Sequence, residues 1–333
     1  MEMINFPSIG QFRNVVKAVK SHATYIGADE DDNPLYNPNA TLPVVTFTGT
    51  VKLHGTNAGI TYDTTTGELW AQSRTRVITP ENDNAGFAFY VNDNEKEIRE
   101  MFRHIEAWFP FSIITIFGEW CGGSIQKGVA INGLEKMFVI FDMLVDGEWA
   151  TTVDAIQCDP IWNMYRVTEF PSYVMEIDFN DADSIVNRLV ELTNQVEAEC
   201  PVGRVFNQQG IGEGIVWKAM YDGDVYRFKV KGEKHSASKV KGLASVDPEK
   251  LQSIKEFVDY AVTENRLNQG IEQVYTATNR EPDITLFGEF IKWINHDIVK
   301  EESDTLENSG LTMKDVVKSI SVNTLTWFKP KYC

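Results

Sequence analysis

Lys52 lies in the stretch of this sequence whose residue types most clearly suggest covalent chemistry, Lys52-Leu53-His54-Gly55-Thr56-Asn57. A lysine three residues before a glycine also occurs at Lys229/Gly232 and Lys239/Gly242, so the spacing alone identifies no nucleophile. Lys52 differs in its setting, because it lies between two β-rich runs, residues 44–51 and 59–62. A lysine amine held in this way could attack a phosphorus atom and carry the transferred group.

Attack by lysine requires a neutral amine, although the pKa of a free lysine is about 10.4. Lys229 and Lys231 alternate with Val230 and should therefore share one face of a strand. Two ammonium groups there would stabilise charge on a phosphorus under attack and favour neutral Lys52, as a bound metal ion could also do. The alternative for Lys229 and Lys231 is an ordinary surface strand with alternating lysines.

Other candidate site residues stand at or near the ends of apolar runs. Glu119 could accept hydrogen bonds from ribose hydroxyls, or it could cap a turn. Phe141 could stack on adenine, or it could belong to a core strand that ends in a solvated Asp142. Glu213 and Lys218 stand at opposite ends of a short strand. Glu213 could hold a divalent metal ion, and Lys218 could contact phosphate.

The order of these motifs resembles that of the nucleotidyltransferase superfamily of ligases and capping enzymes. Lys-x-His-Gly-Thr-Asn at the first motif is similar to the RNA ligase 2 family, whereas DNA ligases and capping enzymes usually carry Asp where His54 stands. The further stretches that carry the resemblance are Ser73-Arg74-Thr75, Phe117 to Trp120, Gly123 to Lys127, Phe138 to Asp142, Glu213 to Lys218, Lys229 to Lys231, and Val262 to Asn268. The sequence departs from this pattern in a longer segment before Lys52 and in Trp217 and Ala219.

The resemblance implies an ATP-dependent RNA ligase that uses Mg²⁺ or Mn²⁺ and joins 3′-OH and 5′-phosphate ends. The expected substrate is a nick in duplex RNA or in an RNA/DNA hybrid. Lys52 would be the adenylated nucleophile, with Glu213 holding the metal ion and Lys229 and Lys231 contacting phosphates. The other implied nucleotide-binding residues are Val51, His54, Asn57, Arg74, Glu119, Phe141, Asp142 and Lys218, with Thr56 beside the end-sealing site.

Two other classes of function stay open at this stage. A DNA ligase or an RNA-capping enzyme is disfavoured by His54 and by the lack of a recognisable all-β oligonucleotide-binding domain after Lys231. A non-catalytic protein that binds RNA ends is disfavoured by intact Lys52, Glu213 and Lys229, since a binding protein needs no nucleophile.

The charge distribution favours a local phosphate site over a general nucleic-acid coat. The net charge is −17, and residues 142–200 contain 13 acids and 2 bases, yet residues 217–242 contain 7 Lys/Arg and 3 acids. The alternative is a solvated basic strand and loop. The four cysteines are scattered, the histidines lack metal-ligand spacing, and no apolar run has membrane-spanning length. We therefore expect a cytoplasmic monomer with reduced thiols, located in the host cytoplasm if a phage encodes it.

The length of 333 residues suggests two domains. Residues 1–241 should form an α+β nucleotidyltransferase domain of antiparallel sheets and helices, and residues 245–333 a small all-α domain that engages the nick. Arg266, Lys292, Lys329 and Lys331 are its candidate contacts to a duplex backbone. The predicted helices are residues 9–22, 94–108 and 181–199, with helix starts at Asp247, Asp283 and Thr312. The predicted strands are 44–51, 59–62, 68–73, 113–119, 137–144, 211–219 and 224–231, with a loop over 29–41.

Overall fold

The computed structural model describes residues 1–235, 254–278 and 280–332. Its first part combines two mainly antiparallel sheets with a separate small hairpin, β1 (Tyr25–Ala28) and β2 (Pro34–Tyr36). The larger sheet has the order β10-β8-β7-β4-β5-β6, with β9 paired to β8. Its strands are β4 (Gly55–Asp63), β5 (Leu69–Ser73), β6 (Val77–Ile78), β7 (Ile113–Cys121), β8 (Met137–Val145), β9 (Glu148–Trp149) and β10 (Met164–Arg166). All of its pairings are antiparallel except that of β10 with β8.

The second sheet has the order β11-β3-β12-β13 and is antiparallel throughout. Its strands are β3 (Val44–Lys52), β11 (Ser172–Asp178), β12 (Gly214–Tyr221) and β13 (Asp224–Lys231). β3 alternates along its length: Phe47 and Val51 are buried, whereas Thr46, Thr48 and Lys52 lie on the opposite face. This alternation turns one face of the sheet to the core and the other, which carries Lys52, to a cleft.

Helices cover the core faces of both sheets. α1 (Phe12–Thr24) and α4 (Val186–Ala198) bury Phe12, Val19, Leu189 and Val196 in the core that contains Phe47. α2 (Phe87–Asp93) and α3 (Glu95–Trp108) pack in the core of the larger sheet, and α5 (Pro201–Val205) is a short helix beside the first core. The cleft therefore lies between two well-packed sheet layers.

The C-terminal part forms a third core from helices alone. Its helices are α6 (Ile254–Ala261), α7 (Glu264–Val274), α8 (Phe287–Asn308) and α9 (Met313–Tyr332). Their apolar stripes place Phe257, Phe290, Ile294, Ile320 and Phe328 together. In the part of the chain that the structure describes, no helix has the length and apolarity needed to span a bilayer.

Buried ion pairs join α8 to α1. The guanidinium of Arg13 lies 2.5 Å from Asp304 and 3.1 Å from Glu302, and its side chain is only 7% exposed. Glu302 also pairs with Arg266, whose side chain is fully buried. Arg266 is therefore a structural residue of this junction, and its predicted contact with a duplex is wrong.

The predicted fold class is confirmed, and the main predicted strands and helices are present with shifted ends. The predicted loop over 29–41 is partly wrong, because residues 34–36 form a strand of the small hairpin. Asp283 caps a short 3-10 turn before α8, and the main-chain amide of Thr312 donates to Asp315 at the start of α9, as in a capping box. The helix start predicted at Asp247 and the boundary between residues 241 and 245 lie outside the described residues.

Candidate active site

A cleft of about 1060 Å³ separates the open face of the second sheet from the larger sheet and from the C-terminal helices. All of the residues predicted for the nucleotide site except Thr56 line it. These are Val51, Lys52, His54, Asn57, Arg74, Glu119, Phe141, Asp142, Glu213, Lys218, Lys229 and Lys231. Residues from six separate stretches of sequence thus meet in one place.

Three side chains in the cleft contact the carboxylate of Glu213. Lys52 Nζ donates to its Oε2 at 2.7 Å, and His54 Nδ1 lies 3.1 Å from the same oxygen. Lys231 Nζ lies 3.2 Å from Oε1. Burial alone would raise the pKa of Glu213, but the ammonium groups of Lys52 and Lys231 hold that pKa well below its usual range. The carboxylate is therefore ionised and joins the candidate nucleophile to a second cation.

Backbone geometry holds Glu213 in this position. Gly214, which begins β12, pairs with both Lys52 and Lys231 across the sheet. Its φ is +155°, and a Cβ atom there would lie 2.1 Å from the carbonyl oxygen of Val230. Glycine is therefore required directly after Glu213, so that the three strands can approach closely enough for one carboxylate to reach both lysines.

Glu119 approaches the same region from β7. Its Oε1 accepts a hydrogen bond from the main-chain amide of Gly55 at 2.9 Å. Burial raises the pKa of Glu119 to about 7, against the opposing effect of Lys52. Gly55 permits the contact, because a Cβ atom there would meet the carbonyl of Trp120 at 2.3 Å. A carboxylate is thus placed beside the turn that follows Lys52.

Asp142 is a buried partner for two cations. Lys218 Nζ donates to Asp142 Oδ1 at 3.0 Å and to the carbonyl of Ala150 at 3.1 Å. The guanidinium of Arg227 lies 2.7 Å from Oδ2 and 4.4 Å from the centre of the Trp149 ring. The cluster fixes the middle of β8, which carries Phe141, and it engages Lys218, which the sequence suggested as a phosphate contact.

Lys229 and Lys231 share one face of β13, as predicted from their alternation with the buried Val230. Their partners differ, because Lys229 Nζ donates to Glu301 of α8 at 2.7 Å. Burial lowers the pKa of Lys229 to about 8, although Glu301 opposes that shift. Burial acts in the same direction on Lys231, but the carboxylates of Glu213 and Glu301 raise its pKa above the usual value. The C-terminal helices thus hold one of the two candidate phosphate contacts.

The remaining predicted residues, except Thr56, line the walls of the cleft. Thr56 Oγ1 accepts a hydrogen bond from Asn84 at 3.1 Å, and Asn57 lines the cleft one residue further along β4. Arg74 Nη2 donates to Ser8 Oγ at 3.2 Å. Val51 packs its side chain in the core although it also lines the cleft.

Sequence reasoning missed Phe6, Arg227 and Glu301. Arg227 stands two residues before Lys229 on the same strand face, and this alternation could have identified it. Phe6 and Glu301 lie far from Lys52 in sequence and carry no motif. Only the packing of the N-terminal segment and of α8 brings them to the cleft.

The described residues could bind a divalent cation through a small number of protein ligands. They contain no group of three or more His, Cys, Asp or Glu side chains arranged to hold a metal ion. Mg²⁺ is commonly bound through one or two carboxylates together with substrate phosphates and water. Glu213 is ionised and faces the cleft, so it has the chemistry of such a ligand when a phosphate is present.

A family model for RNA ligase matches residues 45–231, which is more than half of the chain. The chain belongs to the RNA ligase family. The match includes every predicted site residue and confirms, at the level of the family, the resemblance seen in the motifs. Residues 1–44 and the C-terminal helices lie outside it.

Solved structures of an RNA ligase from Naegleria gruberi are similar to this chain. The complex with PPi has 14% identity and a TM-score of 0.43, and a variant with ATP and Mn has 16% identity and a TM-score of 0.42. Each comparison covers 69% of this chain and 56% of the other, so the chain spans little more than half the length of those ligases. No curated protein matches the sequence.

Proposed function

We propose that this member of the RNA ligase family is an ATP- and divalent-metal-dependent enzyme that joins RNA 3′-OH and 5′-phosphate ends through lysyl-AMP and RNA-adenylate intermediates. The observation that carries the proposal is the contact of Lys52, His54 and Lys231 with the single carboxylate of Glu213. The motifs that contain Lys52, Glu213 and Lys231 thereby meet in a cleft large enough for a nucleotide.

In the first step Lys52 Nζ attacks the α-phosphorus of ATP. A phosphorus–nitrogen bond forms, the bond to the β-phosphate breaks, and pyrophosphate leaves. The attacking nitrogen needs a free electron pair, whereas here Lys52 Nζ donates to the Glu213 carboxylate at 2.7 Å. Lys52 must therefore leave its pair with Glu213 before it attacks, and the proton released from Nζ passes to solvent. Lys231 stays positioned to stabilise charge that develops on the phosphate oxygens.

In the second step an oxygen of the RNA 5′-phosphate attacks the AMP phosphorus, and the bond to Lys52 breaks. In the third step the RNA 3′-OH attacks the activated 5′-phosphate, and AMP leaves. Glu213 and substrate phosphates would hold Mg²⁺ or Mn²⁺, which when bound supplies positive charge to the phosphates. Phe141 would stack on adenine, and Glu119 and Arg74 would contact the ribose and phosphates.

The two predicted domains suggest separate roles. We propose that residues 1–241 perform adenylation and that residues 245–333 engage a nick in duplex RNA or in an RNA/DNA hybrid. Asn268 and Gln269 of α7 and His296 and Lys300 of α8 line the same cleft as Lys52. Amide and cationic side chains suit contacts with a phosphate–sugar backbone, through which duplex RNA is mainly recognised.

Nucleotide choice tests the proposed function. With Mg²⁺ present, ATP labelled in its α-phosphate should label the protein strongly, and GTP should label it at most weakly. The reason is that the motif resemblance implies an adenylate site in which the base stacks on Phe141. Equal labelling by GTP would place the protein with capping enzymes, and no labelling by either nucleotide would indicate a binding protein without covalent chemistry.

The affinity for ATP should fall as pH rises above about 8. Lys229 has a pKa of about 8 in the folded protein, so it is charged below that pH and loses its charge above it. A charged Lys229 binds phosphate better, and the dissociation constant should therefore rise by up to about tenfold per pH unit. We suggest measuring it in Lys52→Ala, which prevents the covalent step.

A matched variant separates Lys229 from other titrating groups. Lys52→Ala combined with Lys229→Arg retains a positive charge across this range, because arginine does not lose its proton. Its ATP affinity should fall much less than that of Lys52→Ala alone between pH 8 and pH 9. An equal fall in both proteins would show that Lys229 does not contact the phosphates in its charged form.

A further inference from the structure

The N-terminal strap, defined here as residues 4–14, runs along the cleft although it lies outside the family match. Its first anchor is a reciprocal pair of hydrogen bonds: the amide of Ile4 donates to Gln72 Oε1 at 3.0 Å, and Gln72 Nε2 donates to the carbonyl of Ile4 at 2.6 Å. Its second anchor is on the other sheet, where the amide of Lys229 donates to the carbonyl of Gly10 at 3.0 Å. The strap is thus attached to both sheets across the cleft.

Between these anchors, the strap places Phe6 behind the candidate adenine-stacking residue. The Phe6 ring is 7% exposed, and its centre lies 5.1 Å from that of Phe141 in an edge-on arrangement. The rings of Phe117 and Trp149 lie 5.2 Å and 5.4 Å from Phe6 on its other sides. Phe6 is therefore fixed by aromatic neighbours and in turn limits the positions open to Phe141.

A polar contact of the strap also involves a residue that is proposed to bind the nucleotide. Ser8 Oγ accepts the hydrogen bond from Arg74, the residue implied to contact ribose and phosphate. Phe6 and Ile9 also line the cleft. Phe6, Ser8 and Gly10 of the strap therefore contact three residues that are proposed to bind the nucleotide. These are Phe141, Arg74 and Lys229, respectively.

We propose that Phe6 is a positioning residue for the base of the bound nucleoside triphosphate, and that it acts by holding the Phe141 ring at the angle required for stacking. This inference rests on the proposed function, because it assigns the base to Phe141. It adds to the site a residue that lies outside the matched region. Phe6 contributes to recognition of the base, while the lysines recognise the phosphates.

The test compares two ligands that differ in whether they carry a base. ATP and inorganic triphosphate are titrated with Mg²⁺ into Lys52→Ala and into Lys52→Ala with Phe6→Leu. Loss of an edge-on aromatic contact should weaken ATP binding roughly three- to tenfold and leave triphosphate binding unchanged. Phe6→Tyr, which retains the ring, should restore ATP binding. In the background with intact Lys52, Phe6→Leu should raise KM for ATP with little change in kcat.

Two further variants separate positioning from general stability. Phe102→Leu removes a fully buried ring of α3 that does not line the cleft, and it should lower the melting temperature without changing the ratio of ATP to triphosphate affinity. Gln72→Ala releases the Ile4 anchor and should reproduce the selective loss of ATP affinity even if Phe6→Leu does not fold. Equal weakening of both ligands, or unchanged ATP affinity in Phe6→Leu and Gln72→Ala, would overturn the inference. Failure of the wild-type protein to accept AMP from ATP would instead refute the proposed function.

Discussion

Lys52→Ala is expected to abolish covalent labelling by ATP and the sealing of RNA ends that carry an ordinary 5′-phosphate. The amine of Lys52 is the proposed attacking atom, and alanine has no group that could replace it. The variant should still join a pre-adenylated RNA end at some rate, because the third step does not need a free lysine. Gel assays of protein labelling and of RNA sealing would measure both effects.

The pre-adenylated substrate is also the control for folding. A misfolded protein would fail with both kinds of RNA end, whereas loss of the nucleophile affects only the end that needs activation. Glu213 would retain Lys231 and His54 as partners in the variant, which favours a folded site. Labelling that survives Lys52→Ala would contradict the assignment of the nucleophile.

Lys231→Ala is expected to lower the labelling rate by about 10²- to 10³-fold, the usual loss when one charge-stabilising contact is removed from a reacting group. Lys231 and Lys52 contact the same carboxylate, that of Glu213, and the raised pKa of Lys231 keeps it charged across the neutral range. Its removal deletes a cation close to the proposed site of attack. Single-turnover labelling at saturating ATP would measure the chemical step.

Lys234→Ala is the matched control for Lys231→Ala. Lys234 lines the same cleft, and it forms no ion pair with any residue that the structure describes. Its removal deletes the same charge and should slow labelling far less. Lys239 and Lys241, which belong to the same basic run, lie outside the described residues. Equal losses in Lys231→Ala and Lys234→Ala would indicate a general basic patch instead of a defined site.

The strands around the site could be predicted because their patterns are local. The apolar residues of β7 and β8 identify them as central strands, and the alternation of Lys229, Val230 and Lys231 fixes which side chains share a face. The small hairpin of β1 and β2 was missed, because the Asn, Pro and Asp residues near it are typical of a loop.

The pairings within the site were less predictable, because they depend on contacts between distant segments. Glu213 could be identified as an acid at a strand end, but its shared contact with Lys52 and Lys231 follows from the register of β3, β12 and β13. Glu301 lies 72 residues from Lys229, in an amphipathic helix with many other acids. No feature of the sequence marks Glu301 as the partner of Lys229, because this contact depends on how α8 packs against the first part of the chain.

The most direct test of the account is to locate AMP on the protein. Full-length protein is incubated with ATP and Mg²⁺, its intact mass is measured, and the modified peptide is sequenced by tandem mass spectrometry. The account predicts a mass increase of one AMP, carried by the side chain of Lys52 and removed by added pyrophosphate. AMP attached to Lys229, Lys231 or another residue, or no mass change under conditions in which the protein binds ATP, would contradict it.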